Sequence, residues 1–286
     1  MSGLDIRPAS AAEFAVAVEW AAAEGWNPGL DDLAVFHAAD PGGFFLGRSD
    51  GRPVSSISVV RYGPGFGFLG FYIVRPEHRG SGAGLATWTH GMAYLGGCTT
   101  VGLDGVVAQQ ANYRKSGFVL AGRNVRHSGV PLIGGTDAAT ADIRPVTAED
   151  MNSLVEYDRA FFASPRERFI RAWALPAPGT RRQALLALAG GEIAGYGVIR
   201  ACRSGHKIGP LFADDAATAE TLFVGLCRTV PGEEVSLDTP EGNREAVGLA
   251  TRFGLQPVFE TARMYRGPAP ALPVARSYGI TTFELG

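Results

Sequence analysis

What most limits the fold of this chain is that it repeats itself. Asp5-Ile6-Arg7-Pro8 returns as Asp142-Ile143-Arg144-Pro145, 137 positions later. Each copy leads into a helix start with capping chemistry, Ser10 to Glu13 in the first and Thr147 to Asp150 in the second. Further on, Ser116-Gly117-Phe118 stands opposite Phe253-Gly254-Leu255 at the same offset, and Leu103-Asp104 is answered by Leu237-Asp238 at 134. Three matches in the same order imply two copies of one fold. The 286 residues leave room for two domains of about 100–150 residues each.

The expected division is 1–128 for the first domain, 129–141 for a Gly/Thr/Ala-rich linker and 142–286 for the second domain. In the first half, residues 11–24 and 30–39 carry helical periodicity. Residues 43–47 and 54–61 read as strands joined by the turn Ser49-Asp50-Gly51-Arg52, followed by an apolar strand at 66–74. A helix over 82–95, stopped by Gly96-Gly97, and a strand at 99–104 complete a mixed α/β pattern. The alternation over 277–285, after a Pro-rich stretch at 267–273, suits one more strand.

Composition narrows the partners. A net charge of −2 lacks the basic footprint of a nucleic-acid or anionic-membrane binder, and only Lys115 and Lys207 among the 26 basic residues are lysines. No stretch approaches the ~20 apolar residues of a bilayer span, and no secretory leader is visible, so a cytoplasmic protein is expected. Cys98, Cys202 and Cys227 and the five histidines lack ligand spacing, so no metal is expected.

The chemistry concentrates in one segment. An apolar strand ending Tyr72-Ile73-Val74 meets Pro76, and then Arg79-Gly80-Ser81-Gly82-Ala83-Gly84 opens a helix. Glycines allow close backbone approach, while the unpaired first amides and the dipole of a helix attract phosphate. A dinucleotide-binding G-x-G-x-x-G would need a third glycine where Leu85 or Thr87 falls, and a βαβ start where hairpin strands precede. A ligand-free turn would place three glycines at a cost in helix stability with nothing to offset it.

Arg79-x-x-Gly82-x-Gly84 after such a strand resembles the signature of the GNAT superfamily of acyl-CoA-dependent N-acyltransferases. Asn112-Tyr113-Arg114-Lys115-Ser116-Gly117-Phe118 resembles that family's Y-x-x-x-G-F ending. The resemblance covers residues 4–126. Over its whole length the chain is similar to a bacterial subgroup with a second GNAT-like domain. The resemblance implies tandem domains, each a mixed, mostly antiparallel sheet flanked by helices. It also implies acetyl-CoA bound by Tyr72, Ile73 and Val74 and by Arg79 to Gly84, with a backbone amide of Ile73 or Val74 polarising the thioester carbonyl. Tyr113 would be the general acid and a small-molecule primary amine the acceptor, attacking directly. A protein lysine or N-terminus is the alternative acceptor, and a non-catalytic acyl-CoA-binding sensor or protein-interaction module the alternative function.

The base is less defined by the residues. Asp104 at a strand end is the first candidate, with Asp31 and Asp32 behind it, although Asp238 repeats Asp104. Trp26 and Asn27, in the loop between the first two helices, are the expected acceptor contacts. An offset of 137 maps Arg79–Gly84 onto residues 216–221 and Tyr113 onto Ala250, with every glycine and the arginine lost. The second copy is therefore expected to keep the fold without the cofactor site, as a scaffold, a wall of the acceptor pocket or a homodimer surface.

Overall fold

The computed structural model describes residues 3–134 and 142–286. The first half runs β1 (Asp5–Pro8), α1 (Ala11–Ala23), α2 (Asp32–Ala39), β2 (Phe44–Ser49), β3 (Arg52–Arg61), β4 (Phe66–Val74), α3 (Ala83–Tyr94), β5 (Thr100–Val106), α4 (Gln110–Lys115) and β6 (Val119–Gly129). The second repeats it as β7 (Asp142–Pro145), α5 (Met151–Asp158), α6 (Glu167–Ala174), β8 (Arg182–Ala189), β9 (Glu192–Ala201), β10 (His206–Ala213), α7 (Ala216–Cys227), β11 (Val235–Pro240), α8 (Arg244–Arg252) and β12 (Gln256–Arg266). A short β13 (Ser277–Gly279) follows.

Local chemistry accounts for the element ends. Ser10 and Glu13 close a capping box on α1. Asp50 and Gly51 both take positive φ, as a tight β2–β3 hairpin requires. Helix α3 ends at Leu95 with neither Gly96 nor Gly97 in the left-handed region, so the expected glycine cap does not form. Of the expected linker, Gly129 still belongs to β6, and residues 135–141 lie outside the described residues.

Among the described residues the strands form one sheet in the order β1-β2-β3-β4-β5-β12-β6-β11-β10-β9-β8-β7, with β13 beside β10. The last strands of the two halves have changed places. β12 lies against β5 of the first half, and β6 lies against β11 of the second. At the seam Asn124 faces Thr261, its own repeat-mate 137 positions on, so a local two-fold axis passes between β6 and β12. The 137-residue repeat is a rotation in space.

The four helices α1, α2, α5 and α6 share one core cluster on a common face of the sheet. In it Phe36 of α2 stacks on Trp173 of α6 at 5.7 Å and 18°. The opposite face carries two separate clusters. One involves α3 and Tyr113 of α4 in the first half, and the other α7 and α8 in the second. No described helix is long and apolar enough to cross a membrane.

Candidate active site

Strand β4 pairs in parallel with β5 only from Phe66↔Thr100 to Leu69↔Leu103, and beyond that the two strands part. A bulge starts at the divergence. Phe71 and Tyr72 together stand opposite Ile57, Phe71 takes φ 44°, and Ser56 Oγ donates to its carbonyl at 2.8 Å. A buried phenylalanine in the left-handed region is strained backbone held by its surroundings. After the bulge, Arg75 N donates to Val54 O, so strand alternation turns Val74 towards the open edge, where its carbonyl accepts from Arg79 Nε at 3.0 Å. Of the two amides expected to face the cleft, Val74 does so, whereas Ile73 faces β3 opposite Ser56.

The wedge between the strands is a cavity of about 310 Å³, with Arg79 and Glu24 at one end and Tyr113 in its wall. Gly80 and Gly82 have φ of 76° and 90°, and a Cβ at either would meet nothing within 4 Å. Gly82 caps α3 without a side chain, and only Ser81 Oγ, 3.4 Å from Ala83 N, approaches the first amides. These open donors, in left-handed glycine backbone beside a splayed strand, fit a diphosphate and the arm that follows it. Gly84 serves packing, because a Cβ there would lie 2.9 Å from Tyr72 Oη. The Arg79 guanidinium pairs with Glu24 at 2.5 Å, so it braces the turn and the loop after α1.

Tyr113 stacks on Trp88 at 5.7 Å and 26°. It fits only because residue 105 is glycine, where a Cβ would lie 2.2 Å from its ring. Burial, with the neighbouring Tyr72 adding to it, pushes the Tyr113 hydroxyl up to about 12. The phenol therefore keeps its proton across the neutral range, as an acid must. Cys98 is absent from the cavity wall, and burial raises its thiol above the usual value.

Several expected contacts are employed elsewhere. The Asp104 side chain is fully buried, held by Arg263 at 2.8 and 2.5 Å and by Asn124 at 2.9 Å, so it reaches the cavity only through its backbone and is unsuited as the base. Although burial opposes the charge, this carboxylate holds the Arg263 guanidinium above its ordinary value. Asp238 is gripped in the same way by Arg126, at 2.7 and 2.8 Å. Asp32 is buried between Arg182 and Arg200, and Asp31 accepts from the amide of Arg181 at 2.7 Å. Asn27 does not line the cavity. Its amide group makes two hydrogen bonds to the backbone of Ser204 and ties the halves together. Trp26 does line it, while its carbonyl accepts from Arg126 and Lys207.

The wall also holds residues that local sequence patterns do not mark. Phe259 and Thr261 arrive on the exchanged strand β12, and Phe283 and Glu284 on the C-terminal tail. The tail passes so close to β4 that a Cβ on Gly70 would lie 2.2 Å from the Glu284 carbonyl oxygen. A glycine in the middle of an apolar strand was the one available signal.

The second half lacks this apparatus, and more thoroughly than a constant offset suggests. β10 begins 140 positions after β4, but α7 only 133 after α3, and six of the seven missing residues fall in the glycine turn, eight residues long after β4 and two after β10. The expected alignment of Arg79–Gly84 with residues 216–221 is thus corrected: Ala216 matches Ala83, and the turn is deleted. Asp215 caps α7 and takes the Thr218 amide at 2.8 Å, where a phosphate would need open donors. The matching wedge, after Ile208↔Leu237, is filled by β13, which pairs with β10 at Leu211↔Gly279 and Phe212↔Ser277.

Known proteins divide along the same lines. A model of the acetyltransferase (GNAT) family matches residues 12–118, and one of an acetyltransferase (GNAT) domain matches residues 154–279. Over 283 residues the chain is 32% identical to the holothin acyltransferase of Pseudoalteromonas sp. (strain SANK 73390), covering 98% of this chain and 94% of that one. In fold it resembles a putative acetyltransferase from Pyrococcus horikoshii, with a TM-score of 0.82 at 22% identity over 100% of this chain and 97% of that one. A tandem GNAT protein from the clavulanic acid biosynthesis pathway gives 0.64 at 17% identity, over 94% and 100%. With one match in each half and a relative along nearly the whole length, the chain belongs to the GNAT family, as an acyltransferase of tandem build.

Proposed function

We propose that this protein transfers the acetyl group of acetyl-CoA to the amine of a small, flat molecule, by direct attack within a ternary complex. The observation that carries the reading is the wedge cavity, which reaches Arg79 at the start of the glycine turn and has a wall of aromatic side chains from both halves. Trp26, Phe259 and Phe283 present rings where an acceptor would lie, and rings suit a planar apolar body. A cavity of about 310 Å³ also favours a small molecule over a peptide segment. The relative named for holothin as acceptor supports the same class.

Bound acetyl-CoA would supply an activated acyl thioester, and the rest of the chemistry falls to the chain. The α3 amides and the Gly80–Gly82 backbone hold the diphosphate. The Val74 amide, turned to the open edge, is placed to polarise a carbonyl in the wedge. Tyr113 keeps a proton for the departing sulfur.

Free-thiol release from acetyl-CoA over a panel of amines, holothin included, tests the reading, with longer acyl-CoAs run in parallel. Turnover with one amine class is expected, abolished in Gly82→Glu. Tyr113→Phe should lose about 10²-fold or more in kcat with little change in acetyl-CoA affinity. Tight acetyl-CoA binding with no turnover on any amine would favour a sensor, and turnover only on peptides would move the acceptor to protein.

A further inference from the structure

Three acidic residues line the cavity, Asp104 by its backbone alone, and two are committed: Glu24 to Arg79 and Asp104 to Arg263. The third is Glu284. It is 7% exposed, and among the described residues no hydrogen bond or ion pair reaches its carboxylate. Buried carboxylates are ordinarily paired, because removing the charge from water without a partner is costly. A buried carboxylate in a cavity wall, with no partner of its own, points to a ligand that completes it.

The charged groups around Glu284 do not take this role. Its charge is felt by Arg126 on β6, Arg200 on β9 and Lys207 on β10. Each of these has its own partner: Arg126 grips Asp238, Arg200 pairs with Asp32, and Lys207 donates to the Trp26 carbonyl at 3.0 Å. The tail that carries Glu284 is firmly placed. β13 anchors it in the wedge of the second half, Ile280 N donates to Asp238 O at 2.9 Å, Tyr62 Oη donates to Leu285 O at 3.1 Å, and Gly70 gives it room against β4.

We propose that Glu284 is the general base of the acyl transfer, binding the acceptor's ammonium in the cavity and taking its proton. On this assignment the closed wedge of the second half has a use, since it anchors the strand that delivers the base to the first. Glu284 takes one proton from R–NH3⁺ and passes it to water. The freed lone pair forms the C–N bond as the C–S bond breaks. Tyr113 gives a proton to the sulfur, and the nitrogen's second proton restores the phenol. Amide, free thiol and one released proton balance the step.

The proposal rests on the acyltransferase reading above, and its test separates the two. Glu284→Gln and Glu284→Asp are compared with the parent, using an alkylamine protonated at the assay pH and an arylamine that is neutral there. The Gln variant is expected to keep its melting temperature and acetyl-CoA affinity. It should lose about 10²–10⁴-fold in kcat/KM on the alkylamine and far less on the arylamine, while Asp restores part of the loss. Calorimetry without any acyl donor should show weaker binding of the alkylammonium to the Gln variant, and unchanged binding of its alcohol analogue. Equal losses on both amines, no loss on either, or equally inactive Gln and Asp variants would overturn the assignment and leave the acyltransferase reading standing. A parent enzyme silent on every amine would overturn both.

Discussion

Lys207 shows how single buried charges tie the two halves together. It is 3% exposed, and its ammonium donates to the Trp26 carbonyl in the loop that walls the acceptor cavity. Burial pulls it down to about 8, and repulsion from Arg126 adds to the effect. An unfolded lysine titrates near 10.4. Between those values the unfolded chain holds the proton and the folded chain does not, so stability from this residue rises with pH across the window. Below pH 8 the folded chain carries the full cost of a buried ammonium. A variant Lys207→Met lacks this term. Its stability advantage over the parent should therefore shrink by up to about 3 kcal/mol between pH 7.5 and pH 10.5. Denaturant titrations of both proteins at several pH values check this, and parallel stability curves would show that Lys207 titrates as an ordinary lysine.

At the scale of elements, what was legible in the sequence was whatever is specified locally. The Asp50-Gly51 hairpin, the Ser10/Glu13 box and the Arg79–Gly84 turn each depend on neighbours a few residues away, and each stands where the sequence places it. Asp104 was misleading because a carboxylate at a strand end suits a base as well as a structural ion pair. The sequence did contain the deciding clue. Arg126 and Arg263 repeat at 137, just as Asp104 and Asp238 repeat at 134, which marks two copies of one structural pair. The strand exchange makes each pair a cross-link, with Arg263 of β12 on Asp104 of β5 and Arg126 of β6 on Asp238 of β11. Removing one partner leaves a buried charge alone, so Arg263→Met should cost about 3–5 kcal/mol. Adding Asp104→Asn should recover much of that loss, because the uncompensated carboxylate is then gone. Thermal unfolding of the single and double variants would decide. A double variant as unstable as the sum of the singles would mean that the cost lies in packing and not in charge.

The exchange of β6 and β12 was not legible at all, for a physical reason. Both strands carry the same pattern at the same offset, so pairing within a repeat or across repeats satisfies the same alternation. Only the three-dimensional arrangement distinguishes them, and it makes the molecule one unit. The first half would lose β12 beside β5, Phe259 and Thr261 from the cavity wall, and the tail bearing Glu284. The second half would lose β6 between β11 and β12, and Phe36 of α2 would be stripped from Trp173 of α6. Each half alone exposes sheet edges and an aromatic core face, the conditions for aggregation. Residues 1–134 expressed alone should therefore be insoluble or partly folded and should not bind acetyl-CoA, despite holding every residue of the glycine turn. Co-expressed with residues 135–286, they should recover a soluble 1:1 complex with acetyl-CoA affinity near that of the intact chain, because the exchanged strands supply the interface. Intact, the chain should melt in one cooperative transition followed equally by near-UV and far-UV dichroism. A soluble, acetyl-CoA-binding first half, or two separated melting transitions, would mean that each repeat can close its own sheet and that the exchange adds reach without adding stability.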